Sequence, residues 1–171
     1  MLSTANDGTV YEMAYTGKAE RIFLFFKVYE IAHYAATTDD LALSFETVLT
    51  DKRPKAILVR FDRKLGRDRI REELDKSLRK NAQENWLEDA KASVDAFMAA
   101  IDRDANAGDE LVFYWLAEGK LLVEFNGEPS FETTDLAFAK LIWSIWFGDD
   151  PACDREGLLV LSGAESDLKA D

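Results

Sequence analysis

The stretch Arg21-Ile-Phe-Leu-Phe-Phe-Lys-Val-Tyr-Glu-Ile-Ala-His-Tyr-Ala35 constrains the fold more than any other, because it is the longest run of aromatic and β-branched residues in the chain. From Ile22 to Phe26 apolar side chains fall on both parities, as in a strand covered on both faces, and alternation begins only at Lys27-Val-Tyr-Glu-Ile31. A helix would need a polar face, which Ile22 to Phe26 offers at no helical phase, and such residues favour the pleated state. Residues 22–35 therefore read as a strand central to a sheet.

The rest of the chain supplies partners for that strand. Residues 10–15 form a first strand ended by Thr16-Gly17, and a hairpin joins it to the central one. Thr37-Thr-Asp-Asp40 caps a short helix carrying Leu41, Leu43, Phe45 and Val48. After the breaker Asp51-Lys-Arg-Pro54, residues 55–62 resume a strand. Between Arg67 and Asn81, Ile70, Leu74 and Leu78 recur every fourth position among charges, which is a solvated helix with one narrow buried stripe. A second helix spans 86–102 with Leu87, Ala90, Val94, Phe97, Met98 and Ile101 on one face. At ~1.5 Å per residue it is long enough to cross the sheet.

Residues 110–117, 120–125 and 128–131 form a meander turned at Glu118-Gly119 and at Asn126-Gly127, a pair suited to a turn with positive φ at both positions. Thr133-Thr-Asp135 caps a helix holding Leu136, Phe138, Leu141, Ile142, Ile145 and Trp146; Gly148 stops it and Pro151 prevents its resumption. A last amphipathic turn at 154–161 precedes the polar tail 162–171. Hairpin connections with interleaved helices give an α+β fold, an antiparallel sheet with a helical layer on one face and a cleft between them. At 171 residues and 47% hydrophobic content, one globular domain is expected, with its core at about residues 10–162.

Charge narrows the function classes. Thirty-three acidic against 21 basic side chains give a net charge of -12, which repels nucleic-acid backbones and anionic membrane surfaces. Cys153 and His33 are the sole residues of their types, so neither an internal disulfide nor a Cys/His zinc site can form. No cofactor is expected, although a haem would need only one axial imidazole and His33 could supply it. His33 otherwise reads as a packed or edge histidine. The N-terminus has no charged start and no apolar run of a secretory signal, so the chain as it stands is expected in the cytoplasm, or in the periplasm if a leader has been cleaved. No run is apolar enough for a membrane span, and nothing in the sequence bears on oligomeric state.

Gly-rich phosphate loops, a Gly-x-Ser-x-Gly elbow, CxxC and HExxH are all absent, and the acidic pairs Asp39-Asp40, Glu72-Glu73 and Asp149-Asp150 diverge on any regular element. They read as surface charges and caps rather than catalytic pairs. No catalytic or metal-binding residue is assigned.

Four pieces, Phe25-Phe-Lys-Val-Tyr-Glu-Ile-Ala-His-Tyr34, Ala56-Ile-Leu-Val-Arg-Phe61, Asn126-Gly127 and Phe138-Ala-Lys-Leu-Ile-Trp-Ser-Ile-Trp-Phe-Gly-Asp-Asp-Pro151, resemble bacterial members of the chalcone isomerase-like superfamily in order and spacing from about residue 12 to 161. The resemblance implies an open-faced β-sandwich and, in many members, a cleft for an apolar ligand. It places the family's anion-meeting arginine at Arg21, puts Tyr29 where the isomerases carry a strand threonine, and matches their helical asparagine to Asn81 with Leu74 at the tyrosine position. With two hydroxyl positions altered, the resemblance implies a binder rather than a catalyst, taking a small apolar anionic molecule such as a fatty acid at Arg21, Tyr29 and Asn81. Alternatives are an intramolecular lyase of the chalcone isomerase type and a ligand-free structural or protein-interaction domain. In the last, Arg21 pairs with Glu20 or a neighbour, side chains fill the cleft, and Trp143, Trp146 and Phe147 either meet a partner or simply pack.

Overall fold

Turn chemistry and side-chain alternation bring the strands together in chain order. In the computed structural model, which describes residues 1–38, 43–83 and 85–160, they are β1 (Leu2–Asn6), β2 (Thr9–Phe23), β3 (Phe26–Ala35), β4 (Lys55–Phe61), β5 (Glu110–Trp115), β6 (Leu121–Phe125) and β7 (Glu128–Thr133). Each pairs antiparallel with the next, so the sheet is an up-and-down meander. The helices are α1 (Arg67–Asn81), α2 (Trp86–Asp89), α3 (Lys91–Ala100) and α4 (Leu136–Phe147).

Parity separates the two faces of the sheet. Ile57, Val59 and Phe61 of β4 and Phe113 and Trp115 of β5 meet the helices in the main core. One residue out of phase, Ala56, Val112 and Tyr114 join Met13 and Leu116 in a smaller cluster on the opposite face. The centre of the main core is α4, where nine of twelve residues are buried, so this helix is apolar all round as a fully enclosed helix must be. It starts as expected, with the Asp135 carboxylate accepting from the Phe138 amide at 3.2 Å, and ends at Gly148. Trp143, Trp146 and Phe147 are each no more than 2% exposed, so they pack rather than meet a partner.

The apolar run at 22–26 behaves differently from expectation. Instead of one strand over 22–35, the chain reverses at Leu24-Phe25, with Phe23 opposite Phe26, and the run forms an exposed hairpin apex. Among the described residues no element covers this end of the β2–β3 ladder, so apolar content alone does not bury it. Thr16-Gly17 does not end β2 either. A register shift there leaves the chain running on to Phe23, and Gly17 lies so close to the C-terminal segment that a Cβ would meet Gly157 O at 2.1 Å. The helix expected over 86–102 breaks at buried Ala90 (φ -94, ψ 8), so that α2 packs on α4 while α3 lies against β7.

The expected helix carrying Leu41 lies partly outside the described residues. Within them, residues 45–50 form turns, fastened by Ser44 and Thr47, and Leu43 and Val48 are buried as expected. The last turn is the 3₁₀ segment Arg155–Leu159; Leu161 and the tail are outside the described residues. No helix among the described residues is long and apolar enough to cross a membrane.

Candidate functional site

A cavity of about 180 Å³ lies between the sheet and the helical layer, walled by Phe61 and Phe113 from the sheet, Ile70 and Leu74 from α1, and Ile145 and Trp146 from α4. Its polar lining is short: Arg21, Tyr29, Arg63, Arg69, Glu73 and Ser77. Arg21 and Tyr29 are direct cross-strand partners on β2 and β3, which places a guanidinium and a phenol side by side on one face. The register shift between Arg21 and Ile22 sets Ile22 opposite Lys27, leaving Val28 as an extra residue, and this bulge turns both Val28 and Tyr29 into the cavity.

The electrostatics of the lining are cationic although the chain is acidic. Arg69 is held by Glu72 at 3.1 Å and by Glu73 at 2.8 Å. Arg21 donates one hydrogen bond, from Nη1 to the Ala152 carbonyl at 3.0 Å, and Glu20 pairs with Lys27 rather than with it. The Arg63 guanidinium stands 4.6 Å from the Phe26 ring centre. Among the described residues no carboxylate lies within ion-pair distance of Arg21 or Arg63. The Tyr29 hydroxyl accepts from Trp146 Nε1 at 3.1 Å, and no described residue takes its own proton. Burial pushes the Tyr29 pKa up to about 12, so the phenol is a neutral donor.

Of the residues singled out from sequence, Arg21, Tyr29 and Leu74 come together in this cavity and Asn81 does not line it. Asn81 is 3% exposed and its amide is fully engaged: Nδ2 donates to the Ser77 and Asp150 carbonyls, both at 3.0 Å, and Oδ1 accepts from the Asp150 amide at 2.8 Å. It ties the end of α1 to the loop after α4. His33 is likewise engaged. Its Nδ1 lies 2.7 Å from Thr16 Oγ1, and Trp143 Nε1 donates to its Nε2 at 3.4 Å, so neither nitrogen is left for a haem iron. Burial lowers its pKa to about 3, with the Lys55 charge adding to the effect. The Cys153 thiol is pushed up to about 12, chiefly by burial, which leaves it protonated and unreactive. Among the described residues no three potential metal ligands converge.

Arg63, Arg69 and Val28 escaped the reading of the sequence. Arg63 sits in a charged turn after β4 like many solvated residues, and Val28 enters only because of a bulge that leaves no mark in composition.

The model of the chalcone isomerase-like family matches residues 6–159, most of the chain. The chain belongs to the chalcone isomerase-like family. Among solved structures, this chalcone isomerase-like protein is similar to an Arabidopsis thaliana fatty-acid binding protein, with a TM-score of 0.69 and 14% identity over 94% of this chain and 97% of that one. At that identity the likeness establishes the fold. No curated protein matches the chain. The open antiparallel sheet with helices on one face is thus the family fold, as the resemblance implied.

Proposed function

We propose that this chalcone isomerase-like protein is a binding protein for a small apolar molecule with an anionic head, of the fatty-acid class, rather than a catalyst. The observation that carries the reading is the presence of Arg21 and Arg63, without acidic partners among the described residues, on an otherwise apolar cavity in a chain of net charge -12. A carboxylate fits there: the guanidinium of Arg21 can hold it with two parallel hydrogen bonds, and the free proton of Tyr29 adds a third. Leu74, at the isomerase tyrosine position, presents an alkyl group and lengthens the apolar wall. The similarity to a fatty-acid binding protein supports the same reading. Asn81 acts in this proposal only as a structural tie.

Cavity size sets an expectation for chain length. A dry cavity of ~150 Å³ holds a benzene ring, so about 180 Å³ suits a short acyl segment. A second cavity of about 350 Å³ lies on the other side of Phe61, Ile70 and Leu111, which line both.

Titration of saturated fatty acids of increasing length against wild type, R21L and Y29F tests the site. Affinity should rise with length, because each added methylene buries apolar area. R21L should weaken every ligand by about tenfold or more, the loss of charge-assisted hydrogen bonds. Affinity independent of length, or an R21L protein that binds as well as wild type, removes this site from consideration. Chalcone cyclisation abolished by R21L would replace the binder with the isomerase.

A further inference from the structure

The apex of the β2–β3 hairpin is the largest concentration of exposed apolar side chains among the described residues. Ile22, Phe23, Leu24, Phe25 and Phe26 are consecutive and range from 49% exposed at Phe23 to 96% at Phe25, whereas the other exposed large apolar residues occur singly. The backbone adds a second observation. Leu24 holds φ 57 at a turn position where Gly or Asn carries little strain, and both of its turn neighbours in sequence are phenylalanine. Bulky apolar groups kept at a strained and solvated turn point to an occupant outside the molecule. A third observation is location: Phe23, Arg21, Arg63 and Arg69 line the cavity, so the apex is also the cavity's rim.

We propose that this apex docks on the surface of a lipid bilayer, Leu24 and Phe25 entering the boundary between headgroups and acyl chains. The charges at the rim fit that occupant. Arg63, which has no carboxylate partner among the described residues, lies over Phe26, so its guanidinium stands at the level where lipid phosphates would lie; Arg69, 6.0 Å from the Phe23 ring centre, is already paired with Glu72 and Glu73. Of the nearby acids, Glu20, Glu30 and Asp62 lie 2.8, 3.7 and 3.6 Å from Lys27, which offsets part of their charge, and Glu30 also meets Lys18 at 3.2 Å. Beyond a Debye length of ~8 Å the acidic body is screened. A second copy is a poor occupant, because a stable dimer buries about 20–30 residues a side and one five-residue turn falls well short. Docking sets the cavity mouth against a reservoir of acyl chains, a purpose that rests on the fatty-acid reading, although the docking itself does not.

Flotation with vesicles of phosphatidylcholine, and of phosphatidylcholine with phosphatidylglycerol, at physiological salt tests the proposal. Wild type should float with the first kind, and equally or more weakly with the second, whose charge the chain's net -12 opposes. The double variant L24S/F25S should lose about tenfold or more of its partitioning, since two side chains no longer bury apolar area. Its thermal unfolding and its fatty-acid titration in vesicle-free buffer should match wild type, because neither side chain packs or lines the cavity. Wild type that stays with the aqueous fraction for both vesicle kinds, or a double variant that floats equally well, overturns the docking. So does a concentration-dependent dimer in sedimentation velocity that the double variant abolishes. Vesicle binding without any fatty-acid affinity would refute the proposed function alone; the reverse result would refute the docking alone.

Discussion

Two runs of this chain are almost equally apolar and end in opposite environments. Residues 22–26 are Ile-Phe-Leu-Phe-Phe and protrude at a hairpin apex, whereas α4 carries Phe138 to Phe147 into the centre of the core. What separates them is the supply of partners. The helix has the sheet on one side and α1 and α2 on others, while the apex extends past the end of the helical layer. Burial is a property of what the rest of the chain can bring to a segment, and hydrophobicity only makes that burial worth having.

The largest test of the contrast is truncation at both places. Trp143 is fully buried, stacks edge-on against Trp115 with ring centres 5.3 Å apart, and reaches His33. W143A should cost about 3–5 kcal/mol in denaturant unfolding. F25S should stay within about 0.5 kcal/mol of wild type. Equal losses at the two sites would mean that the apex is packed after all.

How much of this was legible in sequence follows the same division. Meander, helical layer and the cap of α4 could be read because each rests on local chemistry: Asn126-Gly127 adopts φ 51 and 78 as the turn requires, and Asp135 accepts from Phe138. Asp7-Gly8 carries the same signal, with φ 49 and 77, yet the strand before it, Leu-Ser-Thr-Ala-Asn, is too polar to read as one. Residues 22–26 misled because no Gly, Asn or Pro punctuates the turn. At the site, Arg21 and Tyr29 could be found through the family resemblance, and their meeting follows from a hairpin register. Arg63 and Val28 depend on a tertiary placement and a bulge, which periodicity does not encode. Asn81 was legible as a special residue, and its engaged amide shows it acting as a tie between α1 and the loop after α4.

The core beneath α4 should also be the acid-sensitive part of the molecule. His33 is buried and neutral, with a folded pKa near 3 against about 6.5 when unfolded, so protons bind the unfolded chain first. Its contribution is therefore complete above pH 6.5 and is lost as pH falls toward 3. Lys55, lowered to about 7 by burial, acts in a higher window, between that value and its ordinary range. Compared with H33Q, wild type should lose roughly 3 kcal/mol more between pH 7 and pH 4 in urea unfolding. Parallel pH profiles for the two proteins would show that the histidine is not held neutral by this core.

Only the tip of the hairpin is free; its base is clamped. Gly17 and Gly157 pass so closely that a Cβ at Gly17 would lie 2.7 Å from Leu158 C as well as against the Gly157 carbonyl, and both obstacles are backbone. G17A should destabilise by about 1–3 kcal/mol through forced separation of β2 from the C-terminal turn. A neutral G17A would mean that the C-terminal turn is not held against β2.

The smallest effect has the opposite sign and bears most directly on why the apex is apolar. Leu24 sits in the left-handed region, where an L-residue with a bulky side chain pays about 1–2 kcal/mol and asparagine much less. Since the Leu24 side chain is 73% exposed, removing it forfeits little packing. L24N should therefore raise stability by up to about 1 kcal/mol, read as a higher denaturant midpoint with an unchanged slope. The same substitution should weaken vesicle flotation, because the residue that eases the turn is not the one that enters lipid. A more stable L24N with impaired flotation makes the strain at the apex a cost kept for an external contact. A less stable L24N would show that Leu24 is packed in solution, and the contrast between the two apolar runs would fail at its exposed end.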